Sequence, residues 1–286
     1  MIRDGSSVRG VADVTTFFSH TSTPNDMHAL RTVGALTGRE MLKFVRDRSR
    51  VLGALAQPLA LWVLLGLGFQ GTFQPPTGSV DGSYASFLFP GILALVLLFT
   101  AIFSTISIVE ERTSGFLQAV MVAPTPRTAL VFGTALGGTL LATVQALLFL
   151  LALPFLSLSP GPLGLAMVAA ICLGTGLAFT ALGVAIAWRM DTTRGFHAVM
   201  NLFLLPLWFL SGAMFPAEGA APVLRWLVWG NPVSYAVSGL RHGLHDFTAN
   251  TATLAGPVVC LAVTGGFAVL MVGLAVWQVR QPFFET

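Results

Sequence analysis

Three side chains are spaced as a small metal site would need them: His242, His245 and Asp246. Histidines three residues apart share one face of a helix, and a carboxylate beside the second could join them. A metal held by protein alone usually takes three or four ligands, so this His-x-x-His reads first as hydrogen bonding at a helix end, and no metal is assigned to it. A second pair, His197 and Asn201, lies one helical turn apart. It could touch a polar solute, or it could cap and hydrate a helix end. Nucleotide hydrolysis has a sharper requirement. A P-loop needs Gly-Lys followed by Ser or Thr, and the single lysine of this chain, Lys43, follows Leu42. Neither Gly-x-Ser-x-Gly nor His-Glu-x-x-His occurs. The chain is therefore read as a non-enzyme, with no catalytic, cofactor or metal residues of its own.

The setting of these residues is apolar. Of 286 residues, 55% are hydrophobic and 9% charged, against about 25% charged in a soluble domain. An ordinary soluble fold is excluded. Cys172 and Cys260 sit inside apolar runs and read as small buried hydrophobes, not as a disulfide framework.

Crossing a bilayer takes about 20 apolar residues in helix. Six segments meet that length, at about 51–70, 86–109, 128–153, 163–187, 196–215 and 254–277, and none holds Asp, Glu, Lys or Arg. Lys and Arg fix the orientation. Thirteen fall before the first span, after the second and fourth, or after the sixth; two, Arg225 and Arg241, fall in the alternate loops. Both termini are expected in the cytoplasm, in a multi-pass protein of a bacterial-type inner membrane. Trp188 and Trp277 fall at the cytoplasmic span ends and Trp226 and Trp229 near the outer face, where interfacial anchors belong.

Residues 1–26 hold no long apolar run and read as a mobile cytosolic tail. Residues 27–48 read as an amphipathic helix, with Leu30, Val33, Met41, Phe44 and Val45 on one face and Arg39, Lys43 and Arg46 on the other. Such a helix lies in the headgroup layer, as an anchor or also as a contact for a cytoplasmic partner. Between the fifth and sixth spans, 217–243 is apolar but broken by Pro222 and by Gly230-Asn231-Pro232. Two short helices, each too short to span, suggest a re-entrant hairpin in the outer leaflet, covered by protein or lining a wet cavity. The fold class is an all-α membrane protein, residues 49–286 forming six spans with this hairpin.

The longest polar break is 110–127, which opens on Glu110-Glu111-Arg112 and closes on Pro124-Thr125-Pro126-Arg127. Thr100, Ser104 and Thr105 in the second span, with Asn201 in the fifth, could line a weakly polar pathway, although helix packing explains most buried hydroxyls. Span cores without charge argue against a proton relay and lean toward amphipathic or lipid-linked cargo.

Three ordered features resemble the membrane subunits of type-2 ABC exporters, a family that includes drug, lipid-linked polysaccharide and nodulation-factor exporters. They are the amphipathic helix ending in Arg46-Asp47-Arg48-Ser49-Arg50; Glu110-Glu111-Arg112 with Gly115, Leu117 and Val122 to Arg127; and Pro206, Ser211-Gly212 and Phe215-Pro216 followed by Asn231-Pro232-Val233-Ser234-Tyr235 and Arg241. The resemblance covers most of 28–280. Phe116 and Gln118 depart from the family pattern, which usually has Thr and an acid there.

The resemblance implies a permease half-transporter. Two copies, or one copy and a close paralogue, would pair in the bilayer, and two separate ATPase subunits carrying ATP and Mg would dock below. Glu110 to Ala123 would be the coupling helix seated in the ATPase, with Glu110, Glu111, Arg112, Gly115, Leu117, Pro124 and Arg127 as contact residues. The interfacial helix would be the second contact, and the hairpin, through Asn231, Pro232, Tyr235 and Arg241, an outer gate. No nucleic-acid partner is expected. From the residues alone, a secondary transporter and a non-transporting membrane assembly factor remain open.

Overall fold

The computed structural model describes residues 26–46, 48–69, 83–115, 127–156, 158, 160–215, 221–245 and 253–281. Among them there are helices and no strand. In chain order these are α1 (Asp26–Arg46), α2 (Arg48–Gly68), α3 (Tyr84–Ser104), α4 (Ile106–Thr113) and α5 (Arg127–Phe149), which runs on into a 3-10 segment, Leu150–Leu156. Then come α6 (Pro162–Ala187), α7 (Thr193–Phe209), α8 (Pro222–Gly230), α9 (Pro232–Leu244) and α10 (Pro257–Arg280).

Local chemistry sets the starts. Pro162, Pro222, Pro232 and Pro257 each open a helix, where a missing N–H costs nothing. Thr192 caps α7 by accepting from the Gly195 amide at 3.1 Å, and Asn231 caps α9 by accepting from the Val233 amide at 2.9 Å.

Four of the six expected spans are helices long and apolar enough to cross a membrane: Tyr84–Thr113, Thr128–Leu156, Pro162–Ala187 and Pro257–Arg280. The other two expected crossings are helical over shorter apolar lengths. The first has Ala56–Gly68 as its apolar stretch. The fifth is the 17-residue α7, which ends at Phe209 and gives way to turns where helix was expected to 215. A helix, α1 (Asp26–Arg46), covers most of the expected 27–48 segment, and the broken segment after α7 is two helices, α8 and α9. The tail before Asp26 lies outside the described residues.

Helix α3 is the centre of the bundle. Leu88, Phe89, Ile92, Leu93, Leu97 and Leu98 are fully buried, and α2, α5, α6 and α9 all pack on it. Close packing rests on small residues. A Cβ on Gly138 of α5 would collide with the Ser104 and Thr180 side chains, so at that crossing α5, α3 and α6 meet at glycine distance. The turn at Thr105, between α3 and α4, comes from back-bonding. Ser104 Oγ donates to the Ala101 carbonyl and Thr105 Oγ1 to the Ile102 carbonyl, both at 2.7 Å, and the Thr105 amide reaches Ile102 in a tighter turn.

Candidate functional site at the charged end

Glu110, Glu111 and Arg112 form the closing turns of α4, which continues the long helix begun at Tyr84. The expected separate helix from Glu110 therefore does not start there; 116–126, with Leu117 and Pro124, lies outside the described residues. The helix ends at Gly115, whose φ of 76° is the left-handed conformation that glycine adopts at no steric cost. Ser114 and Thr113 hydroxyls donate to the Glu111 and Glu110 carbonyls and satisfy the last turn.

Two adjacent side chains here reach in different directions. Glu111 pairs with Arg39 of α1 at 2.7 Å. Arg112 donates to the carbonyls of Trp188 and Met190 at 3.1 and 3.3 Å, and its other nitrogen pairs with Asp191 at 3.1 Å. One turn of helix thereby ties α1 to the loop between α6 and α7. Helix α1 is held further by Thr37, which donates to the Gly133 carbonyl of α5 at 3.2 Å. The C-terminus of α10 joins the same end, where Arg189 donates to the Gln281 side-chain carbonyl at 2.6 Å. Glu110 and Arg46 are exposed, Lys43 lies in α1, and Arg127 opens α5. The structure thus brings Glu111, Arg112 and Arg39 together. Asp191 and the Trp188 and Met190 carbonyls are partners that sequence reasoning missed. The available signal was Asp191 as the first acidic residue after the fourth apolar run.

At the opposite end, Asn231 joins α8 to α9, and its amide donates to the Leu207 carbonyl at 2.6 Å. Pro232 is the first residue of α9, and Tyr235 donates to the Trp229 carbonyl at 3.0 Å. Arg241 is buried, only 5% exposed. It donates to the Gly212 carbonyl at 2.8 Å, and its guanidinium lies 4.3 Å from the centre of the Phe87 ring. The turn it grips holds a second left-handed glycine, Gly212, with φ of 72°. Tyr84 donates to the Met214 carbonyl of that turn at 3.3 Å. The possible metal group is not assembled among the described residues: His242 Nε2 lies 2.9 Å from the Ala255 carbonyl, and Asp246 lies outside them.

The expected pathway hydroxyls divide. Thr100 and Thr105 are buried inside this one chain, and Ser104 is half-buried. Thr100 Oγ1 donates to the side-chain oxygen of Gln145, a buried amide of α5 that the sequence reading passed over. Asn201, on α7, is exposed.

Residues 31–245 match the family model described as ABC-2 type transporter. The chain belongs to the ABC-2 type transporter family. Its relatives include the transport permease ycf38 of Porphyra purpurea, 28% identical over 218 residues, covering 74% of each chain. Nodulation protein J of Sinorhizobium fredii is 30% identical over 234 residues, covering 78% of this chain and 84% of that one. The multidrug ABC transporter permease YbhR of Escherichia coli K12 is 26% identical over 153 residues, 53% of this chain and 42% of that protein. Relatives in this ABC-2 family are membrane permeases and not enzymes, and this chain, with its apolar helices, is a multi-pass permease of that kind.

Proposed function

We propose that this permease is the membrane half of an ATP-driven exporter, powered by a separate ATPase that docks at the end carrying Glu111 and Arg112. Two copies of the chain, or one copy and a close paralogue, pair in the inner membrane, each crossing it six times with both termini cytoplasmic. Two ATPase subunits bind ATP and Mg below them. The cargo is amphipathic or lipid-linked.

One observation carries the reading. Adjacent residues on one helical turn, Glu111 and Arg112, hold α1 on one side and the α6–α7 loop on the other. A push on that turn would be delivered to α1, α4 and the α6–α7 loop together, the kind of linkage through which an external engine could bias the bundle. Contact residues for the ATPase are proposed at Glu110, Gly115, Leu117, Pro124 and Arg127, with Lys43 and Arg46 on the interfacial helix. The α8–α9 hairpin, through Asn231, Pro232, Tyr235 and Arg241, is proposed as the outer gate, re-entrant from the outer leaflet.

Two experiments test this. An affinity-tagged chain should retain a Walker-type ATPase through purification in mild detergent; a chain that never associates with one leaves the proposal without an energy source. Gly115→Val probes the turn itself. A Cβ there meets nothing within 4 Å, so its effect is backbone strain and not a clash, about 1–2 kcal/mol for a left-handed residue. The variant should insert and fold yet lose substrate-stimulated ATP turnover by an order of magnitude. Wild-type coupling would contradict a driven role for this turn.

A further inference from the structure

Two arginines meet where α6 and α10 end together. In mid-span the two helices pack closely: a Cβ on Gly174 of α6 would lie 3.1 Å from the Thr264 methyl of α10. They are still joined at the charged end, where Arg189, just past α6, donates to the Gln281 side chain at 2.6 Å. Gln281 follows Arg280, the last residue of α10, and Arg189 and Arg280 are both exposed. Neither forms an ion pair among the described residues. Asp191, two residues beyond Arg189, is held by Arg112 instead, and Glu111 by Arg39.

The surface that leads to this pair suits an acyl chain. Leu270, Gly273, Trp277 and Arg280 recur at i, i+3, i+7 and i+10 on α10, so they form one column, and all four are exposed. A Cβ on Gly273 would meet nothing within 4 Å, which leaves an open notch between Leu270 and Trp277. From mid-span to its end the column is an apolar wall with a notch, then an indole, then a guanidinium with a second one beside it. Exposed Trp settles at headgroup level, where its ring is apolar and its N–H is wet, and a long Arg stem reaches from there to phosphate depth. The exposed stripe of α5, Phe132, Leu136, Leu140 and Val144, has large side chains throughout and no such notch.

We infer that this end of the α6–α10 seam seats an anionic phospholipid, its phosphate held by Arg189 and Arg280 and its acyl chain lying across Gly273 between Leu270 and Trp277. A phosphodiester matches the forked donors of a guanidinium, and basic pockets between helix ends recognise such heads. Phosphatidylcholine has the same phosphate but adds a trimethylammonium, which two guanidiniums repel. Free phosphate has no use for the apolar column, so the occupant is a lipid. It is a fixed neighbour of the bundle and not cargo. Arg189 belongs to the loop whose Trp188 and Met190 carbonyls Arg112 holds, so the lipid braces that loop as well. The inference needs only a chain that crosses a bilayer and goes beyond the exporter reading.

The test uses the full chain in phosphatidylcholine nanodiscs, without ATPase, doped with a trace of photoreactive lipid. The probe carries a diazirine midway along one acyl chain, under either a phosphatidylglycerol or a phosphatidylcholine head. The phosphatidylglycerol probe should label 270–277 roughly fivefold more than its twin, which corresponds to about 1 kcal/mol, and show no such preference at 136–144 on α5. Arg189→Gln combined with Arg280→Gln should erase the preference. Arg189→Lys combined with Arg280→Lys keeps both charges and should retain most of it; loss in this second double variant as well would make the arginines structural and overturn the seat. Gly273→Leu fills the notch and should cut labelling of 270–277 several-fold under either head. Arg225→Gln, the same charge change at the far end, should leave the preference as it is. Equal labelling by the two heads, or an equal preference at 136–144, overturns the site. So does excess inorganic phosphate abolishing the preference, which would point to a water-borne anion, or Trp277→Cys chains that disulfide-link to one another, which would cover this face with a second copy. ATPase association is read separately, so failure of either result leaves the other standing.

Discussion

Arg112 and Arg241 make the same kind of contact at opposite ends of the bundle: each donates to main-chain carbonyls of a turn distant in sequence. Their surroundings differ. Arg241 is buried against an aromatic ring. Arg112 keeps about a quarter of its side chain exposed, and its acid partner Asp191 is 80% exposed. A guanidinium shielded from water holds its carbonyl strongly, because little solvent competes for either group. A partly exposed one exchanges partners with water at small cost. The Arg241 end is therefore built as a fixed staple, and the Arg112 end as a joint that can open and close. The ATPase proposed to dock at the joint would move it without unfolding the bundle.

Breaking the staple should give the largest effect. Arg241→Ala leaves the Gly212 carbonyl without its charged donor, a loss of about 1.5–3 kcal/mol. It also removes the stacking on Phe87, worth about 2 kcal/mol when desolvated. The Ser211–Phe215 turn is gripped by Tyr84 and by the Ala213 contact on Gly91 as well, so the chain should still assemble. Its midpoint for heat-induced aggregation in detergent should fall by on the order of 10 °C. A midpoint within a degree of wild type would show that Arg241 is not a staple.

Opening the joint should cost less. Arg112→Ala removes two carbonyl bonds and one ion pair, all partly wet, for about 1 kcal/mol. The midpoint should move by only a few degrees. The local signature should be clearer: amide hydrogen exchange across 189–191 should quicken several-fold, because the α6–α7 loop loses its tether. Asp191→Asn should do less than Arg112→Ala, since both carbonyl bonds survive it. If exchange at 189–191 is unmoved in Arg112→Ala, the loop is held by something else and the comparison with Arg241 fails.

The contrast between the ends was only half visible in the sequence. Alternation of apolar runs and the Lys and Arg count was enough for the helical class and for setting Arg112 and Arg241 at opposite ends, because membrane burial is written in composition. The length of α7 was not readable: Phe209 to Phe215 is as apolar as helix, yet Gly212 turns the chain there. Glu110-Glu111-Arg112 looked like the start of a loop because charge marks the edge of the bilayer, whereas the helix runs on through it to Thr113. Partners were hidden for a plainer reason. Arg112 and Arg241 bind carbonyls, which every residue has, so no side-chain type could announce Trp188, Met190 or Gly212. Burial of Thr100 against Gln145 likewise follows from which face α3 turns to α5, which depends on packing as well as composition.

The smallest effect on stability should come from the pair beside Arg112, and it tests the joint most directly. Arg39 and Glu111 meet at 2.7 Å with side chains 31% and 15% exposed. An ion pair this wet contributes about 0–1 kcal/mol, so Arg39→Glu or Glu111→Arg alone should shift the melting midpoint by a degree or two at most. Each single change does something larger to position: it sets like charges where α1 and α4 meet and pushes α1 off the turn that ends at Gly115. Thr37 still donates to the Gly133 carbonyl, so α1 stays on α5 and the protein stays folded. Substrate-stimulated ATP turnover should then drop while basal ATPase activity persists. The double swap, Arg39→Glu with Glu111→Arg, restores an opposite-charge pair and should recover most of that stimulation, a coupling between the two sites that single changes cannot imitate. If the double variant is no better than the two singles, the pair is an incidental surface contact. The joint would then reduce to Arg112 and the α6–α7 loop, with α1 moving independently of it.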